Sequence, residues 1–251
     1  MNLSTPALAI YLMAGDDLPE QAAAAVAAGA TAIEVGIPFS DPLADGPVIQ
    51  RAAQAALRAG MSPPRCLEAL AATRARLGDE VPLIPMTYAA IVERYGIAAF
   101  CRDAAAAGAT GLIVADVPPD DGDELQAESA ANAIDLVQLI SLTSADARLA
   151  LACRTSRGFI YVVSAIGTTG ARDELDVERL RSLLARVRAQ AGALPLLCGF
   201  GVSRASHVRD LRAAGADGVI VGSAAIAALE SGGAAALGEL VGSLAGGLST
   251  E

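Results

Sequence analysis

The sequence predicts an α/β fold, a single (β/α)8 barrel of the TIM-barrel architecture spanning residues 1–251, on three observations. First, one unit recurs: residues 24–36, 104–116 and 211–222 each run from an Ala-rich helix end through Gly29, Gly108 or Gly215 into an apolar run. Glycine is the expected residue just past a last helical turn, and an apolar run without alternation is a strand covered on both faces. Second, eight such runs alternate with helical patterns, and no Pro- or Ser-rich linker divides them. Third, the chain is 53% hydrophobic but only 3% aromatic, which suits helices packed on a parallel sheet better than a β-sandwich. The alternative that uses the same units is a doubly wound open sheet.

In chain order, strands are expected near 8–13, 31–36, 82–86, 110–115, 135–140, 159–163, 194–199 and 217–221. Helical patterns fall near 18–28, 48–59, 63–77, 94–107, 121–132, 145–154, 176–191, 203–213 and 223–244. Two of them, 48–59 and 63–77, precede the third strand, so the barrel carries one extra helix there. About seven residues precede the first strand, a short N-terminus. MNLSTPALAIYLMAGDD has no basic leader region and only a short apolar stretch, so it reads as a first strand rather than a signal peptide.

The net charge of −10 and pI near 4.6 exclude nucleic acid and anionic membrane as partners, because no basic patch supplies phosphate contacts. Apolar runs such as 218–229 are shorter than the roughly 20 residues that span a bilayer, and a cytoplasmic protein is expected. Cys66, Cys101, Cys153 and Cys198 are far apart and form no ligand set, so they are expected as reduced core or helix residues. No metal site is expected, since carboxylates and histidine do not converge.

Barrel chemistry gathers at the C-terminal ends of the strands. There, EVGIPFSDPLADGP (34–47) places Glu34 at the end of the second strand and Asp45 across a Pro-stiffened loop. Glu34 is expected to point into the barrel mouth, where burial raises its pKa and fits it for proton transfer. Asp45 reads either as a second acid or as a turn residue or N-cap for the helix from Pro47. Asp116 reads either as pocket lining or as a strand-end turn residue. GFGVS (199–203) and GSA (222–224) close strands 7 and 8, each with glycines and a Ser placed to cap the next helix, together a phosphate cradle. The loop 164–174, with Gly167 and Gly170 around Thr168 and Thr169, is a candidate lid. The single histidine, His207, is expected at a solvated helix position, which leaves no Ser-His or Cys-His mechanism.

These motifs resemble the α subunit of tryptophan synthase. EVGIPFSDPLADGP differs at one conservative position from that family's signature, and MTY (86–88), YGIAAF (95–100), ADVPPDD (115–121), GFIYVVS (158–164), GTTGAR (167–172), GFGVS and GVIVGSA (218–224) follow in family order. The resemblance implies a lyase of tryptophan biosynthesis that cleaves indole-3-glycerol phosphate to indole and glyceraldehyde 3-phosphate without a cofactor. It implies Glu34 as general acid/base and Asp45 as the partner of the indole N–H. It implies Tyr88, Tyr161, Thr169 and Phe200 as substrate-site residues, and Gly170, Gly201, Gly222 and Ser223 around the phosphate. It also implies a β subunit as partner, with Pro38, Asp41 and Pro42 on the facing loop. This chain departs from the pattern where Ala89-Ala90-Ile91 replaces a run that carries Asn, a change that bears on β-subunit docking rather than chemistry. Two alternatives remain beside this reading: a stand-alone lyase that releases free indole, and a non-catalytic barrel that binds a phosphorylated ligand and regulates a partner.

Overall fold

The computed structural model describes residues 1–42, 45–163, 177–199 and 201–248. Among them the order is β1 (Ala7–Met13), α1 (Leu18–Ala27), β2 (Ala32–Gly36), α2 (Pro47–Arg58), α3 (Pro63–Leu77), β3 (Leu83–Thr87), α4 (Ala89–Tyr95), α5 (Ile97–Ala106), β4 (Gly111–Val114) and α6 (Asp123–Ala131). It continues with β5 (Asp135–Leu136), β6 (Gln138–Ser141), α7 (Asp146–Thr155), β7 (Ile160–Val163), α8 (Val177–Ala191), β8 (Leu196–Gly199), α9 (Ala205–Ala213), β9 (Gly218–Val221) and α10 (Ser223–Gly246).

All strand pairs are parallel, in the order β5-β4-β3-β2-β1-β9-β8-β7-β6. The two ends of that order are neighbours in sequence, separated by Val137 alone. Asp135 and Leu136 pair with β4, whereas Gln138 to Ser141 pair with β7. The fifth expected strand is therefore one stretch that switches partner at Val137, and that switch closes the barrel, which excludes the open sheet. The extra helix before the third strand is α2 or α3, as expected.

Strand alternation sorts the apolar residues into two cores. One set, including Leu8, Ile10, Leu12, Ile33 and Val35, packs outward against the helices. The other, including Ala9, Tyr11, Ile84, Phe159, Tyr161 and Ile220, fills the barrel interior. At the end of the barrel away from the βα loops, Met1 closes the floor: its amino group donates to Asp135 Oδ2 at 2.6 Å. Its Cε lies where a Cβ at Gly111 or Gly158 would meet it. All four cysteines are buried and unpaired.

Two expectations, the single helix over 94–107 and the solvated His207, are corrected. The helix expected over 94–107 begins only at Ile97, as α5, because Gly96 takes a φ of 93° and breaks the run, and the separate helix α4 before it was not expected. α4 starts at Ala89, whose N–H donates to Asp116 Oδ1 at 2.7 Å, so Asp116 serves a helix start rather than the cavity. His207 is 4% exposed, not solvated, and its Nε2 accepts from Arg204 Nε at 2.8 Å. α10 extends past the apolar run 218–229: it is 24 residues long, with a mean hydropathy of 1.3 over its most apolar part. It is broken at Gly232 and Gly233, where φ is −157° and 62°, and it buries Ile226, Leu237, Val241 and Leu244 against the barrel.

Candidate active site

β2 is buried along its whole length, and Glu34 stands in register with Tyr11 of β1 and Ile84 of β3. Residues level with one another on adjacent strands share a face, so Glu34 points inward at the top of the barrel core. It is 1% exposed, and its Oε2 has no hydrogen-bond partner among the described residues. No described cation compensates it. Burial, and then the charge of Asp45, pushes the Glu34 carboxyl up to about 8. A carboxyl poised near neutrality both gives and accepts a proton.

Asp45 is not the N-cap of α2; Gly46 occupies that position with extended φ and ψ, and no side chain caps the helix. The Asp45 carbonyl accepts from Gln50 Nε2 at 2.8 Å, which holds the turn, while its carboxylate accepts from the Tyr88 hydroxyl at 2.9 Å. Burial raises the Asp45 pKa and the Tyr88 hydrogen bond opposes that shift. The acids thus sit in different environments, one dry without a donor and one partly wet with a donor, an arrangement that separates their roles. Tyr88 is itself buried and packs on Phe39 with ring centroids 5.2 Å apart. It stands behind Asp45 rather than in the cavity wall.

Glu34, Asp45 and Tyr161 line one cavity of about 350 Å³ together with Gly201, Gly222 and Ser223. Five of the ten residues singled out from the sequence therefore share it with Glu34. Val48, Ile49, Met86, Ile220 and Ala227 make the remaining wall apolar, suited to an aromatic ring. Gly222 is the N-cap of α10 and Arg204 that of α9, so neither Ser223 nor Ser203 caps a helix by its side chain as expected. The first N–H groups of α10 instead lie at the cavity without a capping side chain, the arrangement that favours an anion. Thr169, Gly170, Phe200 and the loop 164–174 lie outside the described residues.

Two glycines make room for two tyrosines. A Cβ at Gly199 would lie 2.2 Å from the Tyr161 hydroxyl, and one at Gly36 would lie 1.9 Å from the Tyr11 hydroxyl. Both rings are buried, and burial together with the two carboxylates raises both phenolic pKa values well above the usual 10.0. Tyr11 was not singled out from the sequence. Its signal was the lone polar atom in ALAIYLM, at a position with inward parity. Among the described residues no group of three or more His, Cys, Asp or Glu is gathered for a metal ion.

A family model, the tryptophan synthase alpha chain, matches residues 1–241. The tryptophan synthase alpha chain of Synechococcus sp. is 42% identical over 229 residues, 90% of this chain and 84% of that relative. That of Methanosarcina mazei is 43% identical over 230 residues, 90% of this chain and 82% of that relative. A solved structure of Mycobacterium tuberculosis tryptophan synthase superposes with a TM-score of 0.89 at 39% identity, over 98% of this chain and 93% of that one.

Proposed function

The chain belongs to the tryptophan synthase alpha chain family, lyases that cleave indole-3-glycerol phosphate, and on that premise we propose how its residues divide the reaction. The bond between indole C3 and the glycerol chain breaks in a retro-aldol step. C3 gains a proton, and the hydroxyl on the departing carbon loses one to become the aldehyde of glyceraldehyde 3-phosphate. Glu34 delivers the first proton and takes up the second, so the carboxyl ends as it began. Asp45 accepts the indole N–H hydrogen bond and stabilises the positive charge that grows on the ring as C3 is protonated. Tyr88 orients Asp45, and Tyr161 positions Glu34 and the substrate.

The phosphate is held by Gly201, Gly222 and Ser223 with the α10 amides, joined by Gly170. The family resemblance adds Thr169, as the residue that would order Asp45, and Phe200 as a further substrate-site residue. The observation that carries this reading is a single cavity with a dry, near-neutral carboxyl at one side and an uncapped helix N-terminus at the other. The two acids need no cofactor for the step. The relatives favour neither the stand-alone lyase nor the non-catalytic barrel.

A β subunit is the proposed partner of this cytoplasmic enzyme. Of the loop residues that the resemblance places at that interface, Asp41 is exposed and Pro42 half-buried, but Pro38 is buried. The test supplies indole-3-glycerol phosphate to the purified chain and follows indole. Slow release that accelerates and co-elution on adding a β subunit are expected; no indole under either condition would overturn the lyase reading, and an unchanged rate without co-elution would remove the partner. Ser223→Asp sets a carboxylate at the anion site and is expected to raise KM about tenfold or more by like-charge repulsion. Steady-state kinetics check this, and an unchanged KM would count against the cradle.

A further inference from the structure

Within the lyase reading above, we infer that Tyr11 is a positioning residue of the same reaction: its hydroxyl donates a hydrogen bond to Glu34 when that carboxyl is ionised. Tyr11 and Glu34 are register partners on β1 and β2, so their side chains rise side by side from the barrel floor. The phenol leans along β2 until its oxygen lies over Gly36, two residues beyond Glu34 and on the same face of the strand. Both residues line the cavity.

Glu34 Oε2 is buried without a partner among the described residues, and the Tyr11 side chain opens on the same cavity. A buried carboxylate that gains no donor is costly to ionise, and a phenol at its flank is the neutral donor that lowers that cost. Gly36 is what allows it, since any larger residue would occupy the place of the oxygen.

The ionisable groups around the pair are few. Asp45 faces both from the loop before α2, with Tyr88 behind it; Tyr161 faces them from β7, and Cys198 lies on the far side of β8 from the cavity. β3 and β9 contribute Ile84, Met86 and Ile220, which do not titrate. Tyr11 is the described donor level with Glu34 on the adjacent strand; Tyr88 is committed to Asp45, and Tyr161 rises from β7, across the barrel from β2.

The test is Tyr11→Phe, which keeps the ring and removes only the oxygen. The pH profile of kcat/KM for indole release is recorded for both enzymes. Loss of a donor to the charged form raises the Glu34 pKa, so the limb of the profile that Glu34 sets is expected to move up by about one pH unit, the size of one hydrogen bond to a charged group. A limb that stays in place or moves down, with or without a uniform drop in rate, would overturn the inference, because a merely structural tyrosine lowers activity at every pH alike. The parent enzyme separates the two readings: if it releases no indole, the lyase reading has failed, whereas a parent that turns over beside an unshifted variant removes Tyr11 alone.

Discussion

Glu34→Gln is expected to fold, to keep its affinity for glycerol 3-phosphate, and to lose about 10²- to 10⁴-fold in kcat for indole release. The amide fills the same buried space within β2 but has no proton to give at C3 and no basic oxygen to receive one. The same variant carries a stability signature with a definite sign. The folded-state pKa of Glu34 is raised from 4.5 to about 8, so the stability tied to its neutral form is full below the lower value and is lost as pH rises through the upper one. The parent protein should therefore lose thermal stability relative to Glu34→Gln between pH 5 and pH 9. Near-parental turnover would refute Glu34 as the acid/base, and parallel melting curves across that range would refute its burial as an uncompensated acid.

Asp45→Asn is expected to lower kcat/KM by about 10²-fold, the effect of removing one preorganised charge from the site where transition-state charge develops. The change is confined to the charge. Asn still accepts from Tyr88 through its amide oxygen, the turn is held by the Asp45 carbonyl rather than its side chain, and Gly46 remains the cap of α2. Loss of the charge should thus lower the rate without lowering the melting temperature, since burial already disfavours the Asp45 charge. A variant with parental kcat/KM would assign Asp45 to the turn after all.

Much of the fold was legible along the chain. Gly29, Gly108 and Gly215 do take positive φ, between 90° and 114°, so the helix-glycine-strand unit read from three segments is a real backbone grammar. α4 was missed for a physical reason: seven residues are too short to establish a helical period, and its first N–H is satisfied by Asp116, 27 residues away. The cap assignments at Ser203 and Ser223 failed because capping depends on backbone torsions that place Arg204 and Gly222 at the boundary.

The sequence by itself determined the strand and helix alternation, the strand that carries Glu34, and the motifs that join this chain to its family. Each of these is carried by residues close in sequence, through periodicity, turn chemistry or a contiguous signature. Only the tertiary structure decided that Val137 is the point where the barrel closes, that His207 is buried, and that Tyr88 serves Asp45. It also decided that Tyr11, an ordinary member of an apolar strand, is level with Glu34 and lines the same cavity. A pKa and a hydrogen-bond partner depend on which distant strands exclude water from a group and which leave room for it, and the glycines at 36 and 199 act on tyrosines that only the closed sheet brings to them.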